Sequence, residues 1–318
     1  MKSKKVKAVL GPYPPRYGGA EKRAVQEFEK SKGIFIGTSH KPELNENEKV
    51  ILIKKRRFPI DCPLLLIKIF KNRKKIKKIS AHFATTFGFT AFMAKKLFNI
   101  PYTATCHGTD IFQNLDSSLH RWFTLKALRN ADEIFAVSKK LKERISEEGI
   151  KKSKVKLSVA KVDKKRFKKR KVKKKNQIIF VGKVQKVKGV DLLIEAFSKI
   201  EDDFPKYKLI IVGDFDEPEY YEKLKKRIDD LKLNKKIEFL GNRDDVEKLL
   251  NQSKLFVLPS RKEGYGIALA EALSCKLKCV ATNIGGIPEV LEKYKGNCLL
   301  VEPEAEKIAE AMKKQLKK

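Results

Sequence analysis

Glu263 and Glu271 lie eight residues apart, with the glycine turn Gly264-Tyr265-Gly266 between them. The stretch Pro259-Ser260-Arg261-Lys262-Glu263 that leads into the turn follows an apolar run, Leu255 to Leu258, rich enough in strand formers to be buried. A helical pattern comes next: Ile267-Ala268-Leu269-Ala270-Glu271-Ala272-Leu273. Strand, glycine loop and helix start together make an anion site, because the first amides of a helix lack carbonyl partners and its dipole favours negative charge. One carboxylate sits in the loop, and the other lies on the helix roughly 7 Å beyond Gly266 at ~1.5 Å per residue. A diphosphate fits at the helix end, with a carboxylate on each side to accept hydrogen bonds from sugar hydroxyls. The chemistry implied is recognition of a nucleotide-sugar.

Such a turn needs a scaffold, and the rest of the chain supplies the pattern of one. Short β-branched runs alternate with helical patterns from end to end. In the first half the pattern predicts strands near Val6–Leu10, Gly33–Gly37, Val50–Ile53, Ile79–Ala84, Tyr102–Cys106, Glu133–Val137 and Val155–Val159. In the second half it predicts them near Gln177–Val181, Lys208–Val212, Lys236–Leu240, Lys254–Leu258, Lys278–Ala281 and Cys298–Val301. Helical patterns intervene, for example at Asp191–Lys199, Tyr220–Leu231, Asp244–Gln252 and Glu304–Leu316. Continuous apolar strands joined by helices mean parallel sheets covered on both faces. The fold class expected is α/β, with two doubly wound Rossmann-like domains. Several strands end in Gly, Ser or His, where such folds place their ligand crevice.

At 318 residues the chain suits two domains better than one. The expected division is an N-terminal domain over 1–163, a basic linker over 164–175 and a C-terminal nucleotide-sugar-binding domain over 176–318. The run Lys164 to Lys175 is too densely charged to pack into a core. No apolar run approaches the ~20 residues of a membrane span, and Met1-Lys2-Ser3-Lys4-Lys5 leads directly into a strand with no visible signal peptide. Five cysteines without a Cys-x-x-Cys pair point to reduced thiols, a cytoplasmic setting and no zinc site.

Charge is uneven along the chain. Residues 176–318 hold 27 Lys and Arg against 24 Asp and Glu, whereas residues 1–175 hold 46 against 15. Solubility alone would load both halves alike, so the first half is expected to meet something anionic. The segment Pro63-Leu64-Leu65-Leu66-Ile67-Lys68-Ile69-Phe70-Lys71-Asn72-Arg73-Lys74-Lys75 reads either as a basic amphipathic helix lying in a membrane interface or as an ordinary core helix.

Five segments in order resemble the GT-B glycosyltransferases of the large retaining group called family 4. Pro14-Pro15-Arg16-Tyr17-Gly18-Gly19-Ala20-Glu21 is similar to the family's N-terminal glycine loop. Cys106-His107-Gly108-Thr109-Asp110 is similar to its His-Gly-x-Asp segment. Val181-Gly182-Lys183, with Lys188-Gly189-Val190-Asp191, resembles the segment carrying two phosphate-binding cations. Glu263 to Glu271 resembles its paired glutamates, and Gly285-Gly286-Ile287-Pro288-Glu289 its following loop. The resemblance covers nearly the whole chain.

It implies two domains facing across a cleft and transfer of a sugar with retained configuration, without a metal ion or other cofactor. It gives Glu263 the hydroxyls of the transferred sugar, Glu271 the ribose and His107 a place near the reacting carbon. Lys183 and Lys188 neutralise the departing diphosphate, in the manner of fixed cations at a developing charge. Gly18 and Gly19 let backbone approach it, and Gly264, Tyr265 and Gly266 complete the donor site. Catalytic roles thus fall to His107, Glu263 and Lys188. The expected partners are a nucleotide-sugar donor and a lipid-linked or otherwise anionic acceptor, with peripheral contact to an anionic membrane from the cytoplasmic side.

The chain also departs from the family pattern. Lysines stand at 276 and 278 where relatives commonly have Gly and Pro, Ala160-Lys161 replaces Asn-Gly, and Cys298 replaces Gly. Asp214-Phe215-Asp216 has the form of a manganese-binding Asp-x-Asp but falls at a variable turn. Two other functions compete: a nucleotide-sugar epimerase or hydrolase of the same fold, and a non-enzymatic nucleic-acid binder. The paired glutamates argue against the first, and the lack of aromatic platforms among the basic residues argues against the second.

Overall fold

A computed structural model describes residues 5–13, 19–39, 42, 47, 49–56, 58–215 and 217–317. The chain folds as two compact units, Met1–Ala160 and Lys161–Lys318. In the first, strands β1 (Val6–Pro12), β2 (Ile34–Ser39), β3 (Val50–Lys54), β4 (Ile76–His82), β5 (Tyr102–Cys106), β6 (Glu133–Ala136) and β7 (Val155–Leu157) form a sheet of order β3-β2-β1-β4-β5-β6-β7. In the second, β8 (Gln177–Val181), β9 (Lys208–Val212), β10 (Ile237–Gly241), β11 (Leu255–Leu258), β12 (Lys278–Thr282) and β13 (Cys298–Val301) form a sheet of order β10-β9-β8-β11-β12-β13. The strand pairings within both sheets are parallel. Each predicted strand is present, with its ends moved by up to three residues.

The helices of the first unit are α1 (Gly19–Ser31), α2 (Asp61–Asn72), α3 (Phe89–Phe98), α4 (Thr109–Phe112), α5 (Ser118–Asn130) and α6 (Lys139–Glu147). Those of the second are α7 (Val190–Ser198), α8 (Pro218–Asp230), α9 (Val246–Gln252), α10 (Ile267–Ser274), α11 (Ile287–Lys293) and α12 (Ala305–Lys317). The apolar runs end up where the two-sided cover of a parallel sheet requires. Strands β2, β5 and β11 are buried along their whole length, and Phe35, Tyr102, Phe180 and Phe256 are among the largest fully enclosed side chains.

The strand order reverses once in each sheet, between β1 and β4 and between β8 and β11. Neighbouring connections leave in opposite directions there and open a crevice beyond the carboxyl ends of the strands. The segments read as chemically active follow those strands: Lys183 and Lys188 come after β8, and Glu263 comes after β11.

The basic run 164–175 lies within the second unit. Its lysines stay exposed, but Phe167 is buried and Asn251 on α9 staples the backbone down. The Asn251 side-chain oxygen accepts from the Arg170 amide at 2.8 Å, and its nitrogen donates to the Lys168 carbonyl at 3.1 Å. Arg166 adds an ion pair to Glu247 at 2.8 Å, and Lys174 Nζ donates to the Ser253 carbonyl at 2.7 Å, so the backbone is docked while most of the run's charges remain in water. Divided by folded unit, the formal charge is +21 for residues 1–160 and +13 for residues 161–318, a smaller contrast than a division at residue 175 suggests.

Candidate active site

In the second unit, β8 runs into a loop carrying Lys183 and then a 3-10 turn, Lys186–Lys188. Gly189 closes that turn at φ +68, and a Cβ there would stand 2.0 Å from the Pro259 carbonyl oxygen. Only glycine permits this approach. It brings the two loops together, and the Arg261 amide seals them by donating to the Val187 carbonyl at 2.8 Å. Arg261 then reaches back to Asp191 on α7 with both guanidinium arms, at 2.7 Å each. Burial works against the Asp191 charge, but Arg261 and the Tyr220 hydroxyl outweigh it and hold the carboxyl below its usual range.

Within this frame Lys188 Nζ donates to Glu263 Oε2 at 2.8 Å. The side chains are 20% and 13% exposed, so a cation and a carboxylate face each other in a largely enclosed pair. The other carboxylate oxygen of Glu263 accepts from the Gly264 amide at 3.1 Å. Behind it Gly285, at φ +51, packs where a Cβ would lie 1.9 Å from the Glu263 carbonyl oxygen. Gly266 takes φ +89 and starts α10, on which Glu271 sits half-buried. Tyr265 is buried, and its hydroxyl finds no partner among the described residues. Lys183 is half-buried on the loop after β8.

In the first unit His107 follows β5, and its turn is built around Asp110, which is 1% exposed. One Asp110 oxygen accepts from the His107 and Gly108 amides at 2.9 and 3.0 Å, and the other accepts from the Ala84 amide at 2.9 Å. The His107 ring stacks on His82, with centroids 5.2 Å apart, and its Nε2 stands 2.9 Å from His82 Nδ1. His82 Nε2 in turn stands 3.0 Å from Glu27 Oε2. His107 is therefore not a core histidine bonded to a backbone carbonyl but the end of a side-chain relay.

The structure thus joins Lys188 to Glu263 and places Gly264, Tyr265, Gly266 and Glu271 along the same turn and helix. Gly19 opens α1; Gly18 lies outside the described residues, as does Asp216. Asp214 lies next to Phe215, whose ring packs against Tyr221 and Phe239. Among the described residues no group of three or more His, Cys, Asp or Glu converges as a metal site would need. Sequence reasoning missed His82 and Glu27. The available signal was that β4 ends in His82 next to the strand that ends before His107; a strand drawn through to Ala84 hid that ending.

Comparison with known proteins agrees with this fold. The profile described as glycosyl transferases group 1 matches residues 161–318, and that of glycosyltransferase family 4 matches residues 34–157. An uncharacterized glycosyltransferase of Methanocaldococcus jannaschii is 30% identical over 300 residues, covering 89% of this chain and 81% of its own length. The N-acetyl-alpha-D-glucosaminyl L-malate synthase of Bacillus anthracis is 31% identical over 235 residues, which is 70% of this chain and 60% of that protein. Among solved structures, Anabaena HepE in complex with UDP and glucose superimposes with a TM-score of 0.81 at 20% identity, over 98% of this chain and 90% of that one. WaaG, a glycosyltransferase involved in lipopolysaccharide biosynthesis, does so with a TM-score of 0.75 at 15% identity, over 98% and 91%. With two parallel-sheet domains and these relatives, the chain belongs to the group 1, family 4 glycosyltransferases of GT-B fold.

Proposed function

We propose that this glycosyltransferase moves a sugar from a nucleoside diphosphate to a lipid-linked or otherwise anionic acceptor, with retained configuration and without a metal ion. The observation that carries the donor side is the Lys188–Glu263 pair at the strand-order reversal of the second sheet. A carboxylate held ready by a cation and an amide can accept sugar hydroxyls, while Lys188, Lys183 and the start of α10 stabilise the diphosphate as it leaves. Glu271, further along α10, takes the ribose. His107 faces the transferred sugar. The HepE complex, titled with UDP and glucose, supports a nucleotide-sugar donor. The acceptor side is supported by the relative whose name carries L-malate, an anion, and by the positive charge of the first unit.

The full chain is to be screened against UDP-, GDP- and ADP-sugars in the presence of EDTA. With the donor that binds, Glu263→Ala abolishes transfer and leaves nucleoside diphosphate affinity unchanged. Glu271→Ala weakens that affinity by on the order of tenfold to a hundredfold, the value of a hydrogen bond to a charged group. An equal rise in dissociation constant for both variants refutes the separate sugar and ribose roles. Loss of activity in EDTA that manganese alone restores refutes metal independence.

A further inference from the structure

His107 can act on a ligand only through the ring nitrogen that its neighbours leave free. Its Nε2 is taken by His82 Nδ1 at 2.9 Å, and the far nitrogen of His82 is taken by Glu27 at 3.0 Å. These groups come from three elements, α1, the end of β4 and the turn after β5, and the partners are 55 and 25 residues apart. Direct contact therefore exists only in the folded sheet.

The polarity of the chain follows from its acidic end. Burial opposes the Glu27 charge, but hydrogen bonds from His82, Lys7 and Ser80 prevail and keep the carboxyl far below its usual range. Its second oxygen is fixed by Lys7 Nζ at 2.5 Å. An ionised carboxylate only accepts, so His82 Nε2 must carry the hydrogen between them. His82 is wholly enclosed, and burial lowers its pKa against the pull of Glu27. A neutral imidazole has one ring proton, and it is committed to Glu27, so Nδ1 offers a lone pair. His107 must then donate from Nε2. Burial keeps His107 neutral as well, with His82 and Arg23 adding to the effect, so its Nδ1 carries no hydrogen.

We propose that Glu27 and His82 are positioning residues that hold His107 as the Nε2–H tautomer, presenting Nδ1 to the donor sugar as a hydrogen-bond acceptor. The sugar contact rests on the role given to His107 above; the tautomer does not. A bare Nδ1 accepts from a sugar hydroxyl and has no proton to give a phosphate oxygen. Neutralising the leaving diphosphate is then left to the lysines. In this scheme the relay supplies orientation and tautomer, as the hydrogen bond on the second ring nitrogen generally does.

The chain has four histidines, so the test can be read directly. In the full protein with 15N-labelled histidine, long-range 15N–1H spectra near neutral pH should show His82 and His107 both predominantly as Nε2–H tautomers. In Glu27→Gln the amide oxygen keeps Lys7, which can only donate, and the NH2 group turns to His82 Nε2, so the relay should reverse and the bias shift toward the Nδ1–H tautomers. Glu29→Gln, an exposed change on the same helix, should leave it intact. A wild-type His107 protonated on Nδ1 overturns the proposal without any variant having to fold, and an unchanged tautomer in Glu27→Gln overturns it as well. If the tautomer is as expected but the His107 resonances ignore saturating donor sugar, the relay stands and the sugar contact fails.

Discussion

Asp110 shows how one side chain can hold a functional turn in place. It is nearly inaccessible, and three backbone amides, those of Ala84, His107 and Gly108, point at its two oxygens. Burial pushes its pKa up while the amides pull the other way. Alanine here would leave three amides without a partner, at about 1–3 kcal/mol each before relaxation. Asp110→Ala is therefore expected to lower unfolding free energy by on the order of 3 kcal/mol, and Asp110→Asn by less, because its amide oxygen still accepts. Urea denaturation of the two variants checks this. A loss under about 0.5 kcal/mol, the size of an ordinary surface change, would remove Asp110 from the role. The Lys188–Glu263 pair is a different case. The pair is largely enclosed, so the cost of desolvating both charges offsets much of their attraction, and its main consequence is a pre-placed carboxylate rather than stability.

Several helices close without the glycine that such ends favour. Lys32, Asn99, Lys232 and Lys276 all take positive φ, between 51 and 58, just past α1, α3, α8 and α10. After α10 the Leu277 amide donates to the Ala272 carbonyl and the Lys276 amide to that of Leu273, and after α8 Leu233 and Lys232 repeat the pattern with Ile228 and Asp229. Both are six-to-one closures that place the strained residue where glycine costs nothing. Lys276→Gly and Lys232→Gly are each expected to stabilise the chain by about 1 kcal/mol, and additively, since the two closures share no partner. Thermal melts check this, and a lowered midpoint in either variant refutes it. The absent glycine at 276 was legible in the sequence, as were the strands, because both depend on residue type over a short span. The paired glutamates were legible for the same reason, their spacing being local to one turn. The Glu27–His82–His107 relay was not, since no local pattern brings residues 55 apart to 3.0 Å. Nor was the docking of run 164–175, which depends on Asn251 reaching back across 81 residues to the Arg170 amide.

At the scale of the molecule, apolar and basic side chains share the outer face of the first unit's helical layer. Helix α2 turns Cys62, Leu65 and Ile69 inward, as a core helix does, yet leaves Ile67 52% and Phe70 46% exposed. On α5, Trp122 is 53% exposed while its ring meets Phe89 and Phe123, and Lys126 reaches over it. Lys71, Lys74 and Lys75 lie exposed at the end of α2 and just beyond it. Among the described residues no helix is long and apolar enough to cross a membrane. A surface of this kind suits contact with an anionic bilayer, where each nearby lysine contributes roughly 1 kcal/mol at most and the effect fades within a Debye length of ~8 Å at physiological salt. The protein is therefore expected to bind vesicles containing acidic lipid, to ignore neutral ones, and to lose binding between low and moderate salt more steeply than it loses donor nucleotide. Reversing the charges of Arg73, Lys74, Lys75, Lys77 and Lys78 should weaken vesicle binding and spare the donor site. Reversal at Lys313 and Lys314 on α12 should do little. Equal partition onto acidic and neutral vesicles would refute the electrostatic account. Equal loss from the α12 pair would show that net charge matters while this face does not. Reversal within 168–175 is the remaining comparison, because those lysines are exposed on the second unit; a loss confined to them would move the contact from the helical layer to that run.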